Sequence, residues 1–143
     1  MYFHGPAFQV LEGVQRAGDT VLGKLNKELP AITRAGHSLL STPTLVELCL
    51  QTAGIWEIGK TGIMALPRSI HSLTLYRQSI NGAAIYAEVK PVLSGNGELS
   101  FDARVVDSQG RLYLELKDYR TSPMPDTVEP ALRAPLLELM KDS

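Results

Sequence analysis

Residues 42–59 read TPTLVELCLQTAGIWEIG, and the pattern of this stretch decides the fold. Thr42 is a good N-cap, and Pro43 suits the first helical position because the N–H that proline lacks would have no partner inside the helix. Apolar residues then lie on every side of the predicted helix, which runs to about Ile58 and ends at the glycines that follow it. A helix that is apolar all round is buried all round. The sequence therefore predicts one long helix enclosed by the rest of the chain.

Strand patterns lie on both sides of this helix. Before it, the segment 8–26 predicts two short strands separated by Gly18 and Asp19, and the segment 28–41 predicts a loop. After it, hydrophobicity alternates with a period of two, which is typical of strands that bury one face. The predicted strands are 70–77, 83–93, 99–106 and 111–119, joined by turns at 81–82, 95–97 and 107–110.

The order of these elements predicts the fold class. Two short strands, a buried helix and a meander of antiparallel strands must pack sheet against helix. This is the order of the hotdog fold, an α+β architecture in which an antiparallel sheet wraps around one long buried helix. The tail predicts a loop over 121–126 and an amphipathic helix over 128–141. We therefore expect the whole chain, 1–143, to be a single hotdog domain with a C-terminal extension over 123–143.

Charge and cysteine content exclude several classes of function. Lys+Arg 14 against Asp+Glu 15 gives a net charge of -1, so neither nucleic acid nor a membrane surface is indicated as a partner. The mostly apolar run 45–58 is shorter than the roughly 20 residues that span a bilayer. The single cysteine, Cys49, excludes an internal disulfide framework and a cysteine-based zinc site, and it favours a reducing, cytoplasmic location. The sequence has no metal-ligand spacing, phosphate loop or dinucleotide motif.

Glu47 and Gln51 are the candidate catalytic residues. They lie four positions apart, on one face of the predicted helix and near its N-terminus. A carboxylate in a buried helix is costly to desolvate unless it has partners or faces a cavity. Burial and the helix dipole act in opposite directions on its ionisation, and such opposing effects are typical of a general acid or base. Gln51 would then orient the carboxylate or hold a substrate hydroxyl.

Structural interpretations of these polar residues stay open beside the functional ones. Residues 44–47 match a capping box, in which Glu47 only satisfies a backbone N–H. A histidine could pair with Glu47 across a dimer, although a lone histidine is more often an ordinary polar residue than a catalyst. The candidates are His4, His37 and His71. Cys49 and Trp56 are predicted to lie in the core.

Five short motifs follow one another in the order and spacing of a known family. They are His4-Gly5-Pro6-Ala7-Phe8, Gly18-Asp19, Pro43 to Gln51, Leu66-Pro67 and Asp107-Ser108-Gln109-Gly110. Through them the chain resembles, over about 4–122, the C-terminal hotdog of the dehydratase domain in polyketide synthases and animal-type fatty acid synthases. Those domains consist of two hotdog halves fused in tandem. Because motif-like residues stand at its very start, we expect the chain to be a domain cut from a longer polypeptide.

The resemblance implies a reaction, the loss of water from a β-hydroxyacyl thioester carried by acyl carrier protein. In the family, a histidine of the first half removes the α-proton, and an aspartate on the helix of the second half protonates the departing hydroxyl. That aspartate position is Glu47 here, and the helix glutamine is Gln51. Single-hotdog bacterial dehydratases use a similar Glu-x-x-x-Gln. His4, Gly5 and Pro6 stand at the family's Tyr-Gly-Pro, which implies a role in substrate binding, with His4 in place of the tyrosine.

The resemblance also implies partners. The first half's His-x-x-x-Gly-x-x-x-x-Pro motif is absent, so we expect another hotdog domain to supply the histidine and the isolated chain to have little or no turnover. The substrate is expected on the phosphopantetheine arm of acyl carrier protein, with no other cofactor and no metal. Two alternatives stay open. One is a homodimeric hotdog acyl thioesterase, in which Glu47 activates water or attacks the thioester carbonyl, and the other is a non-catalytic hotdog that shapes an acyl tunnel or mediates dimerisation.

Overall fold

The computed structural model describes residues 10–26, 42–77, 83–127 and 130–141. In chain order the elements are β1 (Leu11–Ala17), β2 (Thr20–Leu25), α1 (Thr42–Thr61), β3 (Ile63–Leu75), β4 (Ile85–Leu93), β5 (Leu99–Asp107), β6 (Leu112–Thr127) and α2 (Pro130–Leu139). The strands form one antiparallel sheet in the order β1-β2-β4-β5-β6-β3. The predicted loop over 28–41 lies outside the described residues.

α1 packs against the sheet, as its composition predicts. Its apolar side chains meet those that point inward from the strands, and together they form one core. The largest fully buried side chains include Leu48, Ile55 and Ile58 of the helix and Phe101, Tyr113, Leu114 and Leu116 of the sheet. The prediction that the helix is enclosed on every side is wrong at its two ends. Pro43 and Glu47 are exposed near the N-terminus, and Lys60 and Thr61 are exposed at the C-terminus.

The helix ends later than predicted. Gly62 has a φ of 72°, in the left-handed region, and its N–H donates a hydrogen bond of 2.8 Å to the carbonyl oxygen of Ile58. Gly59, predicted as a helix end, lies inside α1. Its lack of a side chain serves packing instead, since a Cβ at this position would lie 2.7 Å from the carbonyl oxygen of Leu136 in α2.

The strand pairing confirms the hairpins predicted at 95–97 and 107–110 and contradicts the one predicted at 81–82. β1 and β2 form a hairpin that turns at Gly18, whose φ is 63°, and β4, β5 and β6 form the predicted meander. The turn predicted at 81–82 implied that β3 pairs with β4. Instead β4 lies between β2 and β5, and β3 pairs with β6 at the far edge of the sheet. Residues 81–82 themselves lie outside the described residues.

The pairing of β3 with β6 also makes both strands longer than predicted. β3 begins at Ile63 rather than at residue 70, and β6 continues to Thr127 through the segment 121–126 that was predicted as a loop. Two prolines suggest a break here but are accommodated. Pro67 lies beside a register shift on the edge strand, and Pro123 pairs with Ala65 of β3 beyond the last residue of β6 that pairs with β5. No helix in the described ranges is long and apolar enough to cross a bilayer.

Asp107 closes the turn between β5 and β6. Its buried carboxylate accepts hydrogen bonds from the backbone N–H groups of Gln109 and Arg111 at 2.9 and 3.0 Å. It also accepts hydrogen bonds from the Arg111 guanidinium and the Tyr113 hydroxyl, both at 2.7 Å. Burial raises the pKa of Asp107, but these hydrogen bonds outweigh it and hold the pKa well below its usual range. With Gly110 at a φ of 81°, this motif is a structural turn.

Replacement of Gly59 by valine should force α2 away from α1. We expect the free energy of unfolding of Gly59→Val to fall by about 1–3 kcal/mol, the usual cost of overpacking a core. Chemical denaturation monitored by circular dichroism measures the change. Gly95→Val is the matched control, because nothing lies within 4 Å of a Cβ at Gly95. Equal denaturation midpoints for the two variants would contradict this packing.

Candidate functional site

A pocket of about 180 Å³ opens between α1 and the first residues of β3. Its wall is mostly apolar, with polar groups from three residues at its surface. It is lined by Glu47, Leu50, Gln51, Gly54 and Ile58 of the helix and by Met64, Ala65, Leu66, Pro67 and Tyr119 of the sheet. The helical residues recur at intervals of three and four, so one face of α1 forms one wall. The structure thus brings the predicted pair Glu47 and Gln51 together at one pocket.

Gln51 holds the Glu47 carboxylate in place. The Gln51 side chain is only 8% exposed, and its Oε1 accepts a hydrogen bond of 3.2 Å from the backbone N–H of Val10. Because that N–H can only donate, the Oε1 must face it and the amide NH₂ group must point the other way. The Nε2 then donates a hydrogen bond of 2.9 Å to Oε1 of Glu47. The Gln51 amide is therefore held by the Val10 N–H on one side and orients the Glu47 carboxylate on the other.

Glu47 differs from the prediction in its burial. We expected a carboxylate inside the core, but the side chain is exposed and lines the pocket. The capping-box interpretation also fails. α1 begins at Thr42, so Thr44 lies within the helix and is not its N-cap, and the carboxylate accepts its hydrogen bond from Gln51. A partly solvated carboxylate, held by an amide, is available to a ligand in the pocket.

Tyr119 reaches the pocket because β6 contains a bulge. Phe101 pairs with Tyr119 and Ala103 pairs with Leu116, so β6 carries one extra residue between these pairs. Asp118 takes up this residue with a φ of 52°, and its N–H donates a hydrogen bond of 3.1 Å to the Asp102 carboxylate. The alternation of side chains therefore shifts by one, and Tyr119 points inward with an exposed fraction of 3%.

A second carboxylate, Glu57, lies deeper on α1. It is only 7% exposed, and its Oε1 accepts a hydrogen bond of 2.7 Å from the hydroxyl of Thr121. Burial raises the pKa of Glu57, and the hydrogen bond from Thr121 opposes that rise only in part. The sequence reasoning missed the importance of both Glu57 and Tyr119. A charged residue at position 57 of an otherwise apolar run was a usable signal for Glu57.

Among the described residues, no histidine lines the pocket. His71 is exposed on β3, and it does not belong to the residues that line the pocket. His4 and His37 lie outside the described residues, as do Gly5 and Pro6, so their predicted roles stay predictions. Any base that acts with Glu47 must therefore come from beyond the described part of this chain.

Cys49 and Trp56 are core residues, as predicted. Cys49 is 1% exposed, and burial raises the pKa of its thiol to about 12, so the reactive thiolate is not formed at neutral pH. Trp56 packs edge-to-face on Phe101, with ring centroids 5.5 Å apart.

The comparison with protein families supplies the identity. A family model described as the polyketide synthase dehydratase N-terminal domain matches residues 1–131. The chain belongs to the polyketide synthase dehydratase family. The predicted resemblance is thereby confirmed at the level of the family. Its assignment to the C-terminal half stays a prediction, since the matching model is described as the N-terminal domain. No match was found among curated proteins.

Solved structures agree with the family. An inactive aspartate-to-asparagine variant of the CurK dehydratase is 28% identical at a TM-score of 0.64, and the match covers 86% of this chain and 43% of that one. The CurJ dehydratase domain of the curacin polyketide synthase is 22% identical at a TM-score of 0.64, over 84% of this chain and 43% of that one. A hypothetical thioesterase with coenzyme A from Streptococcus pneumoniae is 14% identical at a TM-score of 0.55, over 76% and 87%. The hotdog fold is confirmed, and this dehydratase-family chain spans less than half of the CurK and CurJ chains.

The burial of Glu57 should make stability depend on pH. The folded protein holds the proton of Glu57 more tightly than the unfolded chain, so stability falls as the pH rises through the ordinary glutamate value of 4.5 and then through the raised folded pKa. Glu57→Gln keeps an acceptor for Thr121 and carries no charge. We expect this variant to be more stable than the wild type at neutral pH, with the difference disappearing below about pH 4.

Thermal unfolding across this pH range measures the effect. Glu138→Gln is the control, since Glu138 is exposed and pairs with Lys141 at the surface. A difference between Glu57→Gln and wild type that is the same at every pH would show that Glu57 ionises as it does in the unfolded chain.

Proposed function

We propose that the chain is a dehydratase-type hotdog that acts on β-hydroxyacyl thioesters, with Glu47 as the general acid and Gln51 as the residue that orients it. The observation that carries this proposal is the chain of hydrogen bonds from Val10 through Gln51 to Glu47, which directs a carboxylate to the mouth of an apolar pocket. A general acid can act only if it lies within hydrogen-bond reach of the atom that it protonates, so its geometry is considered before its pKa. The apolar lining suits an acyl chain, and the carboxylate suits its β-hydroxyl.

The reaction needs one base and one acid. A base removes the α-proton, and the electron pair of that C–H bond forms the double bond between the α- and β-carbons. The bond from the β-carbon to oxygen breaks, and the oxygen takes a proton from Glu47 and leaves as water. Because no histidine lines the described pocket, the base is proposed to come from another hotdog. The resemblance implies the same arrangement.

The CurK relative supports a carboxylate in this role. An aspartate-to-asparagine variant of that dehydratase is inactive. Glu47 offers the same functional group on one more methylene. The pocket of about 180 Å³ is smaller than the roughly 300–1,000 Å³ typical of ligand sites, which fits a site that a second domain completes.

The edge of the sheet supports the proposal of a second hotdog as partner. β3 lies at the end of the strand order, so its outer backbone groups have no neighbouring strand in the described part of the chain. Large apolar side chains are exposed along it: Ile63, Leu66, Ile70, Leu73 and Leu75. An exposed apolar edge strand favours association with another sheet. Family membership supports the remaining parts of the proposal, namely acyl carrier protein as the substrate's carrier and a cytoplasmic synthase as the setting.

Two other functions make different use of the same residues. A homodimeric thioesterase would use Glu47 to activate water or to attack the thioester carbonyl, and it would release the free acid instead of an enoyl thioester. A non-catalytic hotdog would need no oriented carboxylate. The second is less favoured, because Glu47 is held by Gln51 at a pocket rather than engaged at the helix N-terminus.

Glu47→Gln should abolish dehydration in the complete synthase. The amide keeps the shape and removes the proton donor, and general acid catalysis contributes typically 10²–10⁴-fold, so we expect a loss of about that size. Mass spectrometry of the acyl carrier protein distinguishes the hydroxyacyl, enoyl and unloaded forms. Glu138→Gln, on the exposed side of α2, should dehydrate at the wild-type rate. A Glu47→Gln synthase that still forms enoyl thioester normally would reject the role of Glu47, and accumulation of free acid in the wild type would identify a thioesterase.

Leu73→Lys should weaken association with a second hotdog. A charge in the middle of the β3 edge must be desolvated when a neighbouring sheet docks there, so we expect affinity to fall at least about tenfold, which corresponds to roughly 1.4 kcal/mol. Analytical ultracentrifugation of the chain, alone and with its neighbouring hotdog, measures this. Leu93→Lys is the control, because Leu93 is 73% exposed at the far end of β4. Equal association by both variants would place the interface elsewhere.

A further inference from the structure

Tyr119 combines deep burial with an unused polar group. It is 3% exposed, and its hydroxyl has no hydrogen-bond partner among the described residues. Buried tyrosine hydroxyls usually find a partner, because leaving one unpaired carries a desolvation cost. The buried Tyr113 follows this rule, because its hydroxyl donates to Asp107. The Tyr119 hydroxyl is not fully enclosed, because the described residues hold no such unpartnered atom apart from Glu12 Oε2, and the reason that it lacks a protein partner lies in what it faces.

The position of Tyr119 supplies that reason. Its side chain lines the same pocket as Glu47 and Gln51, so a molecule in the pocket can accept the hydrogen bond that the protein does not use. The bulge at Asp118 points to the same conclusion. A non-glycine residue in the left-handed region is unfavourable, and here it turns Tyr119 toward the pocket in place of the polar Asp118.

We propose that the Tyr119 hydroxyl binds the substrate's β-hydroxyl by donating a hydrogen bond to its oxygen, beside Glu47. This inference rests on the proposed function. A hydroxyl oxygen has two lone pairs, so it accepts one hydrogen bond from Tyr119 and one from the protonated Glu47. When the carbon–oxygen bond breaks, its electron pair moves onto the oxygen, Glu47 delivers the proton, and Tyr119 keeps its own. Tyr119 is thus a binding residue that selects hydroxylated acyl chains.

The environment keeps Tyr119 in its donor form. Burial raises the pKa of Tyr119 above its usual value, and the negative charges of Glu57 and Glu47 raise it further. At neutral pH the phenol therefore keeps its proton and remains a neutral hydrogen-bond donor. A neutral donor suits the oxygen of an alcohol, which carries no charge before the reaction.

Binding of two matched ligands tests this inference. The 143-residue chain is titrated calorimetrically with β-hydroxybutyryl pantetheine and with butyryl pantetheine, each with an amide in place of the thioester so that it cannot be hydrolysed. A hydrogen bond between neutral groups gives a preference of about fivefold, so the wild type should bind the hydroxylated ligand about fivefold more tightly. Tyr119→Phe should bind the hydroxylated ligand about fivefold more weakly than the wild type does, with no change for the other ligand. Tyr76→Phe, which removes an exposed hydroxyl elsewhere, should keep the preference.

A stability measurement separates a binding role from a structural one. Tyr119→Phe should unfold at the wild-type temperature, because the hydroxyl that it loses has no described partner. Tyr113→Phe should unfold a few degrees lower, because it removes the hydrogen bond to Asp107. A fall for Tyr119→Phe as large as that for Tyr113→Phe would assign its hydroxyl to the fold and overturn the inference.

The outcomes also separate this inference from the proposed function. If Tyr119→Phe keeps the preference for the hydroxylated ligand, Tyr119 is not the donor, and the role of Glu47 in the complete synthase still stands on its own assay. If the wild type binds both ligands equally or binds neither, this inference is overturned, whereas the role of Glu47 is decided by its own assay in the complete synthase. Loss of the preference in Tyr119→Phe alone supports both.

Discussion

Burial of α1 against a single sheet limits where the polar groups of this domain can lie, because a desolvated amide, hydroxyl or carboxylate must find a partner. The polar residues on the covered part of the helix meet that requirement. Gln51 accepts a hydrogen bond from the Val10 N–H, Thr52 donates to the Leu48 carbonyl at 2.7 Å, and Glu57 accepts one from Thr121. Of the two carboxylates on α1, Glu57 is buried and Glu47 reaches solvent. The pocket lies beside the one that reaches solvent.

The two carboxylates of α1 differ in environment although they share one helix. Glu47 is exposed and held by an amide, whereas Glu57 is buried and held by a single hydroxyl. Environment decides which task a carboxyl group can perform. The exposed carboxyl group can exchange protons with a ligand and with water. The buried one affects neighbouring groups through its charge and lowers the stability of the fold through its desolvation. Tyr119 lies close enough to both for each to affect its ionisation.

Local periodicity explains how much of the fold and the site could be predicted from the sequence. The helix, the first hairpin and the meander follow from spacing alone, and so does the pairing of Glu47 with Gln51, since residues four apart share a helix face. The partner of β3 could not be predicted, because alternation identifies a strand but not its neighbour. The exposure of Glu47 depends on how the rest of the chain packs around the helix, which no local pattern records. The inward turn of Tyr119 depends on a bulge formed at Asp118, without the glycine that often marks such a position.

α2 was expected to be an extension, yet it supplies part of the interior. Leu136 and Met140 are 0% and 2% exposed, Gly59 lets them approach the helix backbone, and the Lys60 ammonium donates a hydrogen bond of 3.0 Å to the Met140 carbonyl. The resemblance ends near residue 122 and the family model matches to residue 131, both before these contacts. A recombination junction chosen from the motifs alone would remove α2, and with it part of the hydrophobic core of this hotdog. Any transplantation of this hotdog between synthases should therefore carry the chain through Met140.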